Sequence, residues 1–386
     1  MKVVVASDKF KGSLLSNEVA NHIEIGIKKA SCDIEVIKVP MADGGEGTVQ
    51  SLVEGLKGKI VKKKVVDPLG RPTESFMGIL EDRNTAIIEM AASSGLMLLS
   101  ASERNPMKTT TYGFGELIKG ALDMDCRNFI LGIGGSATND GGAGMLQALG
   151  AKLLDINGYE IGYGGESLSK VSTIDLSGFD GRISESKITV ACDVDNPLCG
   201  SNGASYIYGI QKGADKNMVE ILDKNLYHFG KLIEKAAGKS VIDCAGSGAA
   251  GGLGAALIAF FNAEMKKGID LVIELTGLEN IIKDADLVLT GEGGMDFQTK
   301  FGKTPYGVAQ IAKKYNLPVI AIAGSLGTGF EELYNNGFDA IFSIVDKPMS
   351  LEQAFENSKQ LLEAAAERII RVLMIDLNRK KAGNSY

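Results

Sequence analysis

Carboxylates, lysines and glycine-rich turns are the groups in this chain best suited to chemistry. They fall in four short segments, each just after an apolar run. SDKFKGS, Ser7 to Ser13, brings Asp8, Lys9 and Lys11 together. Two lysines there grip a phosphate or a carboxylate as point charges, or else occupy a solvated turn. MADGGEGT, Met41 to Thr48, sets Asp43 and Glu46 around a glycine pair that feeds a helix. N-capping explains one carboxylate at a helix start better than two, so Mg²⁺ or lysines are expected to balance the charge.

The third segment, ILGIGGSATNDGGAG from Ile130 to Gly144, carries the strongest signal. An apolar strand runs into a loop holding Gly134, Gly135, Ser136, Thr138, Asn139 and Asp140, and its bare amides could cradle phosphates. The fourth, TGEGGMDFQTKFGKTP, supplies Glu292, Asp296, Gln298 and Lys303. Its Gly302-Lys303-Thr304 matches the end of a Walker A loop. Phe297 stands where that motif requires glycine, so this is not a P-loop. Two lesser segments complete the set. ACDVDNPLCG puts Asp193 and Asp195 at a strand end. GSGAAGGLG, Gly246 to Gly254, opens an Ala-rich helix and serves either a ligand or tight helix packing.

Imidazole and thiol chemistry are poorly provided for. The only histidines, His22 and His228, lie in helix-like stretches and read as ordinary packed or surface residues. Five scattered cysteines form no CxxC pair, which points to reduced thiols in a cytoplasmic protein. Metal-assisted phosphoryl transfer uses what is present. Mg²⁺ takes one or two carboxylates plus phosphate oxygens, lysines offset charge, and an aspartate orients the attacking hydroxyl. Residues alone therefore point to a phosphotransferase or a hydrolase. A rival reading is a NAD-dependent dehydrogenase of a small hydroxy acid. Gly132, Gly134 and Ala137 satisfy GxGxxA, and Asp155 lies near the spacing of a ribose-binding acid.

The elements that must position these groups alternate at both chain ends. Apolar runs at Lys2–Ala6 and Ile34–Val39 flank a helical pattern from Ser16, an expected N-cap, to Ala30. Runs at Asp286–Thr290, Val319–Ala323 and Ala340–Ile344 alternate with helices at Pro305–Tyr315 and Leu351–Met374. That is the βαβ signature of a parallel sheet. The middle is mixed. Lys59–Val66 and Thr73–Leu80 flank the turn DPLGRP as a hairpin, Thr85–Met90 alternates less clearly, a helix at about Gly113–Met124 and a strand at Asn128–Ile133 follow, and Leu153–Lys187 reads as loop. We therefore expect an α/β domain from residues 1–68 and 284–378, an inserted mixed domain at 69–283 and a frayed tail at 379–386. At 45% hydrophobic and 23% charged residues the chain is globular. A net charge of −7 argues against a nucleic-acid partner, and no apolar run is long enough to span a bilayer.

SDKFKGSL, PMADGGEGT, IIEMAASSGL, ERNPMKTTTYGFGELI, GIGGSATNDGGAGM, DVDNPLCG, QKGA, GAAGGLGAAL, TGEG and GKTPYGVA occur in this order between Ser7 and Ala309. The set resembles the type-1 glycerate kinase family. The resemblance implies Mg-dependent transfer of the ATP γ-phosphate to D-glycerate, usually at the 2-hydroxyl. It also implies a flavodoxin-like domain, an inserted domain resembling restriction endonucleases, and a site between the two. Two departures stand out: Gly294 replaces a common basic residue, and Ile210 a common proline. On this reading Asp193, Lys9, Lys11 and Asp296 are catalytic, with Asp193 as base at a strand end opposite the glycine loop. Asp195, Asp296 and Asp43 stay open as alternative bases. Asp43, Glu46, Gly134, Gly135, Ser136, Asn139, Asp140, Glu292 and Lys303 bind substrate or phosphate, and Asp195 and Asp43 are the expected Mg²⁺ ligands.

Overall fold

A computed structural model of the chain describes residues 1–42 and 47–383. Among these, thirteen strands form in chain order: β1 Lys2–Val5, β2 Glu35–Lys38, β3 Lys59–Val66, β4 Pro72–Ile79, β5 Thr85–Glu89, β6 Asn128–Gly132, β7 Lys152–Leu154, β8 Thr173–Asp175, β9 Lys187–Ala191, β10 Glu264–Lys266, β11 Leu287–Met295, β12 Val319–Leu326 and β13 Ala340–Ser343. The chain divides into two compact units, 1–43 with 269–386, and 44–268.

The first unit holds a sheet ordered β13-β12-β11-β1-β2 with every pair parallel. Numbered within the unit this is 2-1-3-4-5, the flavodoxin-like order. Val3, Val4 and Val5 of β1 are fully buried, as a continuous apolar run in an interior parallel strand requires. The helix Ser16–Ala30 turns Val19, Ile23 and Ile27 onto one face. That face joins Leu362, Ala366 and Ile370 of the helix Ser358–Gly383 in one core. Ile23→Ala there would cost about 2–5 kcal/mol. The N-cap is Leu15, whose N–H reaches the Glu18 carboxylate at 3.0 Å. Ser16, expected as the cap, is instead the buried first helical residue.

The second unit holds a sheet ordered β10-β9-β6-β5-β4-β3. Its β10, β9, β6 and β5 are parallel, and β4 and β3 close it as the expected hairpin, in register Lys59↔Ile79 to Val66↔Pro72. Because β3 pairs here, the chain passes between units at residues 43 and 269 rather than near 68 and 284. Residues 153–187, expected as loop, contain the two-stranded sheet β7-β8 and 3₁₀ turns. The single helix expected over 351–374 is two, Leu351–Glu356 and Ser358–Gly383. The second runs past the expected end of order at residue 378.

Candidate active site

Open parallel sheets bind ligands outside the carboxyl ends of their strands, where the strand order reverses. In the first unit that point lies between β1 and β11. The ladder continues past β1, with Asp8 N–H donating to Gly291 O at 2.9 Å. Beyond β11, Asp296 Oδ1 accepts the Gln298 N–H at 2.8 Å and starts the short 3₁₀ turn Phe297–Phe301. Gly302, at φ +99°, reverses the chain, and Pro305 fits the first turn of the helix Thr304–Lys314.

That path delivers Thr304 to Asp8, its hydroxyl donating to Oδ2 at 2.5 Å. It also delivers Lys303 to Glu292, at 3.4 Å. The Thr299 hydroxyl donates to Glu292 Oε1 at 2.9 Å. Burial pushes the Glu292 carboxyl up to about 7, against the pull of Lys303 and Thr299 and with a push from Asp8. So Asp8 meets Thr304, Glu292 meets Lys303 and Thr299, and Asp296 lies beside Thr299, its N–H donating to the Thr299 hydroxyl at 3.3 Å; Lys9 and Lys11 follow Asp8 in the chain, half-buried and exposed. Part of Asp296 is spent on a cap. Asp43 and Glu46 lie outside the described residues.

In the second unit, β6 opens into the glycine loop. Asp140 is fully buried. It accepts from Thr111 N–H and Oγ1 at 2.8 Å each, and from Gly142 and Gly144 N–H at 3.2 Å each. Burial raises its pKa, and the bonds from Thr111 and the glycine amides oppose the shift. Asn139 is also fully buried and donates to Ser205 Oγ at 3.0 Å. These two residues, expected to meet substrate, instead hold the loop from below. Gly134 and Gly135 are exposed at its crest, and Ser136 keeps 9% of its surface exposed. The GSGAAGGLG segment serves packing. A Cβ on Gly251 would sit 2.0 Å from Thr138 O, so its close approach is to the loop itself.

Sequence reasoning missed Lys212, which is buried beneath this loop and donates to Ser136 Oγ and Thr138 O at 2.7 Å each. Burial brings its pKa down to about 7, opposed by the charge of Asp140. Its only signal was membership of the short QKGA stretch. Glu89, in the IIEMAASSGL stretch, was missed too. It ends β5 and accepts the N–H groups of Val49 at 2.5 Å and Gly47 at 3.2 Å. It thereby holds the start of the helix Thr48–Gly55, a structural task.

β9 lies beside β6, so Asp193 follows the strand next to the glycine loop. It is exposed, and its Oδ1 accepts the Gly268 N–H at 2.9 Å. Asp195 is exposed as well. Among the described residues no three His, Cys, Asp or Glu gather into a metal-holding group. The dinucleotide reading fails on its surroundings. Its glycines do not open a helix, since the next one starts only at Ala143. Asp155 turns the hairpin between β7 and Tyr159, its Oδ1 accepting Asn157 and Tyr159 N–H at 2.8 and 2.9 Å.

An α/β enzyme built on two sheets with parallel strands is the class these features define. A model of the glycerate kinase family matches residues 3–374. The chain is 52% identical to the glycerate kinase of Bacillus subtilis (strain 168), over 96% of its length and 97% of that protein's. It is 49% identical to the glycerate 2-kinase of Escherichia coli (strain K12), over 98% and 99%. A crystal structure ascribed to glycerate kinase 2 of Salmonella typhimurium LT2 superimposes with a TM-score of 0.90 at 48% identity, covering 98% of this chain and 99% of that one. The chain belongs to the glycerate kinase family.

Proposed function

We propose that the protein transfers the γ-phosphate of ATP to the 2-hydroxyl of D-glycerate, giving 2-phosphoglycerate and ADP. The observation that carries the reading is the end-to-end identity with the Escherichia coli glycerate 2-kinase. The two clusters support it chemically. Bare amides at Gly134 and Gly135 suit an oxyanion, and Lys9, Lys11 and Lys303 supply charge for phosphate oxygens.

Mg²⁺ fits the donor set at the switch point. The carboxylates of Asp8 and Glu292 and the hydroxyls of Thr299 and Thr304 are hard oxygen ligands. Such an ion takes most of its ligands from phosphates and water, so a dedicated protein cage is not required. Bound there it would neutralise charge on the nucleotide phosphates. Asp193 is the proposed base, orienting the glycerate hydroxyl and taking its proton. Five free cysteines support a cytoplasmic location.

Coupled ADP release with D-glycerate, followed by assignment of the phosphorylated carbon by NMR, tests the reading. Glycerate-dependent ADP release and a 2-phospho product are expected. No ADP release at any metal tried would sink it, and a 3-phospho product would overturn its regiochemistry.

A further inference from the structure

Lys212 has no place in the chemistry proposed above, yet the fold takes trouble to bury it. Only 3% of its surface is exposed, and its amine meets two acceptors, both from the glycine loop. A lysine buried this fully is unusual and is retained at a desolvation cost. Asp140, under the same loop, is the charged group that acts on it.

The hydrogen-bond directions follow from donor chemistry. The Thr138 carbonyl can only accept, so one N–H of Lys212 goes there. As an ammonium, Lys212 has two further N–H groups and no lone pair, so it donates to Ser136 Oγ as well. Ser136 therefore accepts from below, and its own hydrogen is left to donate elsewhere. Its backbone is fixed too. The loop is tied at both sides of the serine, Leu96 N–H donating to Gly135 O at 2.9 Å and Ala137 N–H to Ser94 O at 3.0 Å. Next to it Gly134 and Gly135 stand exposed.

We propose that Lys212 is a positioning residue, which fixes the Ser136 hydroxyl as a donor to a ligand oxyanion held at the Gly134–Gly135 crest. The oxyanion is a carboxylate or a phosphate, chemistry that glycerate and ATP both bring. The inference rests on the glycerate kinase reading for the choice of probes.

The test is equilibrium calorimetry of the full chain with D-glycerate and with Mg-ATP separately, alongside steady-state kinetics. Ser136→Ala, Lys212→Met and the double variant are compared with the parent. One charge-assisted or neutral donor lost to an oxyanion is worth about ten-fold in affinity. Ser136→Ala is expected to weaken one of the two ligands by about that factor and to raise its KM, with kcat changed less. Which ligand weakens identifies the source of the oxyanion. Lys212→Met is expected to reproduce that loss, and the double variant to be no worse than the worse single, because both act through one hydroxyl. Losses that multiply in the double variant would assign Lys212 a merely structural role and overturn the proposal. Unchanged affinity for both ligands in Ser136→Ala would overturn it too, and this arm decides alone if Lys212→Met does not fold. Absence of all turnover in the parent, with glycerate binding intact and sensitive to Ser136→Ala, would overturn the kinase reading and leave this one standing.

Discussion

The two strand-end clusters handle charge in opposite ways. At the β1/β11 switch point the charged side chains face one another: Glu292 with Lys303, and Asp8 with the hydroxyl of Thr304. At the glycine loop the charged side chains face the backbone. Asp140 collects amides and a hydroxyl, and Lys212 holds a carbonyl and a hydroxyl. The first arrangement gathers side-chain charge at the strand ends. The second spends charge on shaping bare backbone that presents none. A glycine loop has little side-chain packing to hold it, so the buried hydrogen-bonding side chains of Asp140 and Lys212 take over that task.

The contrast can be broken most severely at Asp193. Asp193→Asn keeps the shape and loses the basicity, and is expected to lower kcat by about 10² to 10⁴ with the fold intact. If kcat stays within a few-fold and stability drops by roughly 1 kcal/mol, Asp193 only caps the Gly268 amide. The base would then be sought at Asp296, moving the chemistry to the other cluster.

Asp140→Ala comes next. It strands buried donors of Thr111, Gly142 and Gly144 and leaves Lys212 without its counter-charge, so a loss of about 3–5 kcal/mol is expected in denaturant unfolding. A loss under about 1 kcal/mol would mean that the loop is not held from below.

A smaller effect separates the clusters by pH. Glu292 titrates near 7 in the folded protein against 4.5 ordinarily. Between those values the folded state holds a proton that the unfolded chain has released, so stability falls as pH rises through the window. Glu292→Gln is therefore expected to gain up to about 2 kcal/mol over the parent at pH 8 and nothing at pH 4, without added Mg²⁺. Lys212 titrates near 7 against 10.5. There the unfolded chain holds the extra proton, and stability rises with pH from 7 to 10.5. Lys212→Met should accordingly be better tolerated at pH 6 than at pH 10. Melting curves across pH check both, and a shared sign would refute the contrast. The smallest change is at the hairpin surface, away from both clusters. Glu74→Gln removes the exposed Lys62 partner and is expected to leave the melting temperature unaltered.

Much of this was legible beforehand where periodicity or turn chemistry carried it. The parallel alternation at the chain ends, the hairpin around DPLGRP and the order of the glycine segments all emerged at nearly the right bounds. What failed did so for physical reasons. β11 runs on to Met295 through residues that read as loop, because glycine lets Ile322 O come within 1.8 Å of where a Gly291 Cβ would sit. Asp140 and Asn139 looked like ligand contacts, since composition cannot tell a side chain above a loop from one below it. Lys212 acts on a serine 76 residues away, a pairing that no local pattern encodes.

The interior position of β1, between β2 and β11, bears on how the chain is made. During synthesis β1 and β2 emerge early, but the β11 edge they require follows only after the whole of residues 44–268. At about 5 to 20 residues per second that is a wait of roughly ten to forty-five seconds, with an apolar strand lacking its neighbour. The unit at 44–268 is continuous in sequence and can complete itself in the interval. On the ribosome, the unit that begins first is thus the one that finishes last, and its opening strand and helix are what a chaperone would have to shelter.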